Sequence, residues 1–136
     1  MRCGETAGFT LVEVMVVAII VAILAAVTIP IMLGAKEKAI ATEAQTGLGT
    51  VRNAMNIYKV ENGQYPVMEQ GKSLDNVTVL TVKPGDLDGK YFKTTGYVLT
   101  SVTPSNFMIT ATGYTNDAFG KTVTIDNQGT WGGTLL

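Results

Sequence analysis

Apolar residues are concentrated in one stretch near the start of the chain. Val14–Leu33 reads VMVVAIIVAILAAVTIPIML, and no charged residue occurs from Val14 to Ala35. At 1.5 Å per residue these roughly 20 residues form a helix of about 30 Å, which is the thickness of a bilayer's hydrocarbon core. A chain of 136 residues has no globular core large enough to bury a helix that is apolar all round. The pattern therefore predicts a membrane-spanning helix.

A second, amphipathic pattern follows the apolar run. Charged residues at 36–38 end the run, and apolar residues then recur every three or four positions, as on one face of a helix. Gly63 suits a left-handed helix cap. We therefore predict one helix over residues 9–62, apolar at 9–35 and amphipathic at 36–62, with a kink at Pro30, which removes a helical N–H. The amphipathic stripe comprises Ile40, Ala44, Leu48, Val51, Met55 and Tyr58.

From residue 63 onward the pattern changes to short, alternating, β-branched segments separated by turn residues. The connections are too short for helical crossovers, so the sheet is expected to be antiparallel, and Trp131 is expected to add an edge strand. The predicted fold class is α+β: a long N-terminal α-helix whose second half packs against an antiparallel β-sheet head at 63–136. The predicted strands are Val77–Val82, Tyr97–Val102, Phe107–Thr112 and Thr122–Ile125.

Composition excludes several classes of function. The chain carries 10 Lys+Arg against 11 Asp+Glu, which gives a net charge of −1 and argues against a nucleic-acid partner. It has no His and one Cys, which removes His-based catalysis, His metal sites and any disulfide within one chain. No nucleophile or acid–base constellation stands out. We therefore predict that the protein is not an enzyme, has no catalytic residue and needs no cofactor.

Glu13 stands at the edge of the apolar run, where a carboxylate is costly, by up to about 2.5–3.5 kcal/mol at the bilayer centre. One interpretation is that this glutamate has a function and needs a positive partner. The plainer interpretation is an interfacial residue that reaches water and marks the start of the membrane helix. A cleaved secretory signal peptide is disfavoured, because its apolar region is usually about 7–15 residues long.

The residues around Glu13 carry a family resemblance. The segment Gly8–Pro30, GFTLVEVMVVAIIVAILAAVTIP, resembles the N-terminus of the type IV pilin superfamily, which includes pilus subunits and the pseudopilins of type II secretion. The segment Tyr58–Pro66 looks like the junction between stem helix and head in the same proteins. Together the two segments cover about a quarter of the chain.

The resemblance implies roles for individual residues. Residues 1–8 would be a leader that is cut off between Gly8 and Phe9 by a prepilin peptidase, and the new amine of Phe9 would be methylated. Glu13 would act in filament assembly and Pro30 in kinking the packed helix. The leader departs from the family's pattern, because Arg2 is its only basic side chain.

The leading functional interpretation is a structural subunit of a type IV pilus, assembled as a helical homo-oligomer through helix packing. Its expected partners are the peptidase and methyltransferase, an inner-membrane assembly platform, and membrane lipid before assembly. The expected location is the inner membrane for the precursor, and then an extracellular filament. The alternative is a pseudopilin in a periplasmic pseudopilus, favoured by the segment Tyr65–Gly71. A second alternative is a single-span membrane-anchored binding protein.

Asp86 and Asp88 are weak candidates for a metal site. The resemblance brings calcium into consideration, because secretion pseudopilins often bind it in the head. Calcium takes six to eight oxygen ligands, whereas two carboxylates beside Pro84-Gly85 are more typical of a turn. We therefore expect no metal site.

Overall fold

Helix α1 is the longest element of the chain. A computed structural model describes residues 8–74, 77 and 79–136, and the predicted leader at 1–7 lies outside these described residues. Helix α1 runs over Leu11–Asn62, 52 residues, which confirms the predicted long helix. Pro30 lies inside the helix, and the expected kink stays a prediction.

The chain divides into two compact units, the first ending at Lys36 and the second comprising Glu37–Leu136. In the first unit, helix α1 is long and apolar enough to cross a membrane, and none of its 18-residue apolar window is buried. This exposure is the pattern expected of a segment whose natural surroundings are lipid or other helices.

The second unit contains an antiparallel sheet with strand order β1-β2-β3-β4. Three of the four predicted strands form, and the expected edge strand at Trp131 is confirmed. A short 3₁₀ turn at Thr94–Gly96 leads into the first strand. The strands are β1 (Tyr97–Val102), β2 (Phe107–Thr112), β3 (Thr122–Asp126) and β4 (Trp131–Gly133).

The core of the second unit lies between the sheet and the amphipathic stripe of helix α1. Five of the six predicted stripe residues are buried, and Tyr58 is partly buried against them. Gly47 and Ala54 extend the buried face of the helix. The inward-facing sheet residues that meet this face are Tyr97, Leu99, Phe107, Ile109, Ala111, Val123 and Ile125.

The predicted strand Val77–Val82 is wrong, because none of its described residues belongs to a strand. Its alternation is nevertheless real, since Leu80 and Val82 are buried on the core while Val79 is exposed. No strand pairs with the described residues of this segment. The edge of β1 is occupied by the preceding loop, where the Gly71 N–H donates to Leu99 O at 2.8 Å and Ser73 forms a bridge with Val98.

The packing of the stripe on the sheet predicts which part of the chain can fold independently. We expect a fragment comprising residues 36–136 to be soluble and to unfold cooperatively, because it keeps the stripe that covers the sheet. A fragment comprising residues 63–136 is expected not to fold, because one face of its sheet is uncovered. Thermal unfolding followed by circular dichroism tests both. Cooperative unfolding of the shorter fragment would contradict this account.

Candidate functional site

Thr10 and Glu13 cap the N-terminal end of helix α1 through reciprocal hydrogen bonds. The Glu13 Oε2 atom accepts from the Thr10 N–H at 2.9 Å and from the Thr10 hydroxyl at 2.9 Å. In return, the Glu13 N–H donates to Thr10 Oγ1 at 3.2 Å. This arrangement is a capping box, in which both residues satisfy N–H groups that a helix terminus leaves without partners.

Sequence reasoning treated Glu13 alone and missed Thr10. The signal was present, since Thr10-Leu11-Val12-Glu13 matches the Ser/Thr-x-x-Glu pattern that precedes an apolar helix. The consequence is that Glu13 has a partner within its own chain, so a role in assembly has to be separated from a role in capping.

The expected cleavage site lies outside the helix. Gly8, Phe9 and Thr10 have no helical assignment, and the Phe9 side chain is 87% exposed. Within the described part of the chain, a Cβ atom added at Gly8 would meet no heavy atom within 4 Å. The fold therefore sets no requirement for glycine at this position, and any such requirement would come from a processing enzyme.

A second polar arrangement holds the segment before the 3₁₀ turn against the helix. The Glu43 Oε1 atom accepts from two consecutive backbone N–H groups, those of Tyr91 at 2.7 Å and Phe92 at 2.8 Å. Glu43 lies outside the apolar stripe of the helix, and residues 90–93 have no strand assignment. Glu43 supplies the acceptor that this segment would otherwise have found in a strand.

One helical turn after Glu43, the helix approaches the sheet at Gly47. A Cβ atom at this position would lie 2.6 Å from Tyr97 Cζ and still closer to the hydroxyl oxygen. Gly47 therefore packs closely against Tyr97, whereas a Cβ atom at Gly49 would meet no atom of the described residues within 4 Å. Burial, with smaller contributions from the Glu43 and Asp88 carboxylates, raises the pKa of Tyr97 to about 12.

The weak metal candidates hold turns together. The Asp88 Oδ1 atom accepts from the Thr94 N–H at 2.8 Å and from its hydroxyl at 2.9 Å, and the backbone bond is the main cause that lowers the pKa of Asp88. Asp86 Oδ2 accepts from the Lys83 N–H at 2.9 Å. Among the described residues, no group of three or more His, Cys, Asp or Glu side chains is placed to hold a metal ion. The chemistry of these two carboxylates fits turn stabilisation better than calcium coordination.

The contacts of Glu43 lead to a stability prediction. Glu43→Ala leaves the buried N–H groups of Tyr91 and Phe92 without an acceptor, and we expect a loss of about 2–4 kcal/mol in the free energy of unfolding. Glu43→Gln keeps an acceptor oxygen and is expected to lose only about 1 kcal/mol. Urea denaturation of fragment 36–136 measures both values. Equal losses of unfolding free energy in the two variants would show that the stabilisation does not come from the acceptor oxygen of Glu43.

Two family models match the sequence. Residues 31–132 match the family described as type II secretion system (T2SS), protein G. Residues 6–29 match the prokaryotic N-terminal methylation motif. The second match covers the segment Gly8–Pro30 except for Pro30, and the resemblance to the type IV pilin superfamily is confirmed.

Curated relatives and a solved structure agree with these matches. The chain is 40% identical over 97 residues to the type II secretion system core protein G of Vibrio cholerae, covering 71% of this chain and 63% of that relative. It is 42% identical over 95 residues to the protein of the same name from Aeromonas hydrophila, covering 68% and 66%. The chain thus spans slightly less than two thirds of the length of these relatives. The crystal structure of the Neisseria meningitidis non-core minor pilin PilV matches with a TM-score of 0.51 at 22% identity, covering 73% of this chain and 87% of PilV. That likeness confirms the pilin-like α+β fold.

Proposed function

Because this chain belongs to the family of type II secretion system protein G, we propose that it is a pseudopilin, a structural subunit of a periplasmic pseudopilus. The family is one of structural subunits and not of enzymes. The observation that carries the proposal is the family match over residues 31–132, which includes the whole stripe and all of the sheet except Gly133. We prefer the pseudopilin to the sequence-based interpretation as an extracellular type IV pilus, because the likeness to a pilin concerns the fold alone whereas both relatives carry the secretion name.

The proposed precursor sits in the inner membrane through its apolar helix. A prepilin peptidase cuts it between Gly8 and Phe9, and the amine of Phe9 is then methylated. Two observations support cleavage at this bond. The residues on both sides of the bond lie before the first helical residue, Leu11, and a peptide bond outside a helix is accessible without unwinding. The Phe9 side chain is also largely exposed.

After processing, the subunit is proposed to leave the membrane through an inner-membrane assembly platform and to join a helical homo-oligomer. The apolar half of helix α1 exposes its side chains over its whole length, and packing against equivalent helices would remove that surface from water or lipid. In such a core an unpaired carboxylate at Glu13 is unfavourable. We infer that the positively charged amine of Phe9, from the same subunit or a neighbouring one, provides its partner.

Deleting the chain's gene tests the proposal against the pilus alternative. The pseudopilin function predicts that substrates of type II secretion accumulate in the periplasm while surface pili stay present. Loss of surface pili with normal secretion would support the pilus instead. Restoration by the wild-type chain, but not by a Glu13 variant, controls for effects on neighbouring genes.

Substitution of Gly8 tests processing. We expect Gly8→Ala to be cut poorly and Gly8→Val not at all, because a peptidase that cuts beside Phe9 needs an extended, uncrowded backbone, which glycine provides at no steric cost. The open space around Gly8 means that neither change disturbs the described fold. The intact mass of membrane-extracted chain is the measurement. A Gly8→Val chain that has lost its first eight residues would contradict the expectation.

A further inference from the structure

Arg52 is a cation of helix α1 that has no anionic partner among the described residues. Its side chain is partly buried beside the turn that joins β3 to β4, where Nη2 donates to Asn127 O at 3.3 Å. The Nε atom is buried and has no hydrogen-bond partner in the described part of the chain. A guanidinium group has five N–H donors in a planar fork, and a buried donor without an acceptor is costly. Arg52 therefore needs an acceptor that its described surroundings do not supply.

A groove with acidic walls lies between helix α1 and the loop at residues 86–89; we call it the acidic groove. Its volume is about 280 Å³, and it is lined by the loop and by Glu43, Thr46, Gly47 and Thr50 of the helix. The hydroxyl groups of Thr46 and Thr50 donate to helix carbonyl oxygens four residues earlier. The hydroxyl oxygens and the carboxylates therefore present acceptors to the groove, which suits a ligand that carries N–H donors.

Asp86 contributes a carboxylate to the acidic groove that forms no ion pair with a described residue. Its Oδ2 atom accepts from the Lys83 N–H at 2.9 Å, and its side chain is exposed. The Asp88 carboxylate, in contrast, lies 3.4 Å from Lys93 Nζ, and Glu43 Oε1 already accepts two backbone N–H groups. Asp86 is thus the groove carboxylate that is most available to a further cation.

The hydroxyl group of Tyr97 is directed into the acidic groove from the core side. Tyr97 is 1% exposed, and its hydroxyl oxygen lies against Gly47, which lines the groove. Burial and then the charges of Glu43 and Asp88 raise the pKa of this hydroxyl, and no hydrogen bond to a described residue contributes. The groove therefore contains a buried polar group that a ligand can satisfy.

Arg52 and the acidic groove lie on opposite flanks of helix α1. With 3.6 residues per turn, the helix residues that line the groove lie roughly 120–180° around the axis from Arg52 and about 3–14 Å before it along the axis. The sheet shows the same separation, because Arg52 contacts the turn before β4 whereas the segment held by Glu43 leads into β1, at the other edge. Complementary surfaces on opposite flanks of one chain suit a heterologous contact between copies.

We propose that the Arg52 guanidinium group of one copy enters the acidic groove of a second copy and pairs with its Asp86. An arginine–carboxylate pair can form two parallel hydrogen bonds, which would supply the acceptor that Nε lacks. Charge complementarity identifies a second copy as the occupant, since the same chain carries both unpaired charges. Because the two surfaces lie at different heights on the helix, parallel copies joined in this way are displaced along the axis and form an open helical array. The contact rests on the filament of the proposed function and names residues that would join its heads.

Cross-linking of two single-cysteine chains tests the contact. Cys3 is the chain's only Cys and is replaced by Ser. One full-length chain then carries Arg52→Cys, and a second, lengthened by an epitope tag, carries Asp86→Cys. Both chains are expressed together, and intact membranes are treated with a short bismaleimide. We expect the mixed dimer to exceed either homodimer at least about fivefold, because a heterologous contact brings unlike positions together.

Val67→Cys in place of Asp86→Cys is the matched control, since Val67 is 84% exposed and does not line the groove. A mixed dimer at Arg52 and Asp86 that does not exceed this control would overturn the contact. Homodimers as abundant as the mixed dimer would show an isologous contact and overturn it as well. Cross-linking without a secretion defect on gene deletion would leave the contact standing and count against the pseudopilin function. A secretion defect without the mixed dimer would do the reverse.

Charge exchange tests whether the pair supports assembly. Arg52→Asp and Asp86→Arg are each expected to lower the ratio of sheared filament to cleaved subunit at least about tenfold, because each places like charges together. Combining the two exchanges is expected to restore the ratio to within about threefold of the wild-type value. Glu61→Arg changes the net charge as Asp86→Arg does, at an exposed residue of the same helix, and is expected to change the ratio little. An equal loss in Glu61→Arg would attribute the effect to net charge and overturn the pairing.

Discussion

Glu13→Gln and Glu13→Val are expected to reduce filament yield by at least roughly tenfold while leaving insertion and leader cleavage largely intact. The physical reason is the loss of a charge pair in a core with little water, where removing one partner costs about 3–5 kcal/mol. Valine leaves no buried amide but also removes the acceptor for the Thr10 N–H, so a loss of yield shared by both variants reports the lost charge. The measurement is the amount of sheared filament divided by the amount of cleaved subunit in the membrane.

The capping box makes this test more specific. Glutamine keeps an acceptor for the Thr10 N–H and hydroxyl that Glu13 now binds, and Gln is a recognised member of such a box. Glu13→Gln therefore removes the charge and keeps the cap, whereas Thr10→Val removes the hydroxyl and keeps the charge. Thr10→Ser retains both and is the matched control. Normal filament yield in both Glu13 variants would show that Glu13 only marks the start of the membrane helix.

Gly47→Ala is expected to destabilise the second unit by about 1–3 kcal/mol, because the added methyl group has no room beside the buried Tyr97 ring. Gly49→Ala, two residues along the same helix, meets nothing within 4 Å. It is expected to stabilise the unit by about 0.5–1 kcal/mol through helix propensity alone. Both variants add one methyl group to a helical glycine, but the expected changes in the free energy of unfolding have opposite signs.

Urea denaturation of fragment 36–136 measures the Gly47 and Gly49 variants side by side. A second change tests the mechanism, since Tyr97→Phe removes the hydroxyl oxygen that lies closest to the new methyl group. Gly47→Ala should therefore cost less in the Tyr97→Phe background than in the wild-type chain. A stabilising effect of Gly47→Ala would mean that the ring moves aside at little cost.

The sequence predicted the features that depend on residue pattern within one segment. The apolar run, the stripe from Ile40 to Tyr58 and three strands with their turns all follow from a helical or twofold period. The sequence also showed the family resemblance of the N-terminal segment Gly8–Glu13, because its residue types and their spacing are specific.

Features that depend on a partner elsewhere in the chain were missed. The alternation in Val77–Val82 correctly indicates which side chains are buried, but it does not indicate whether a neighbouring strand is available. Glu43 looks like a solvated charge on the polar side of a helix, and its role becomes visible only when the segment at Tyr91 lies against it. A carboxylate can accept hydrogen bonds from backbone N–H groups in place of a neighbouring strand. No local sequence pattern indicates that this happens.

The two edges of the sheet bear on how a chain that is proposed to form filaments would avoid joining through its sheets. One edge, at β1, is closed by the loop through Gly71 and Ser73. The other edge is the three-residue β4, where Gly133 has a φ of 121°, a conformation that interrupts an extended strand. A short, distorted edge is a poor template for a further strand. Pairing between the sheet edges of neighbouring subunits, which would give amyloid-like aggregates, is therefore unfavourable. In the proposed filament, growth would then be directed by the helices.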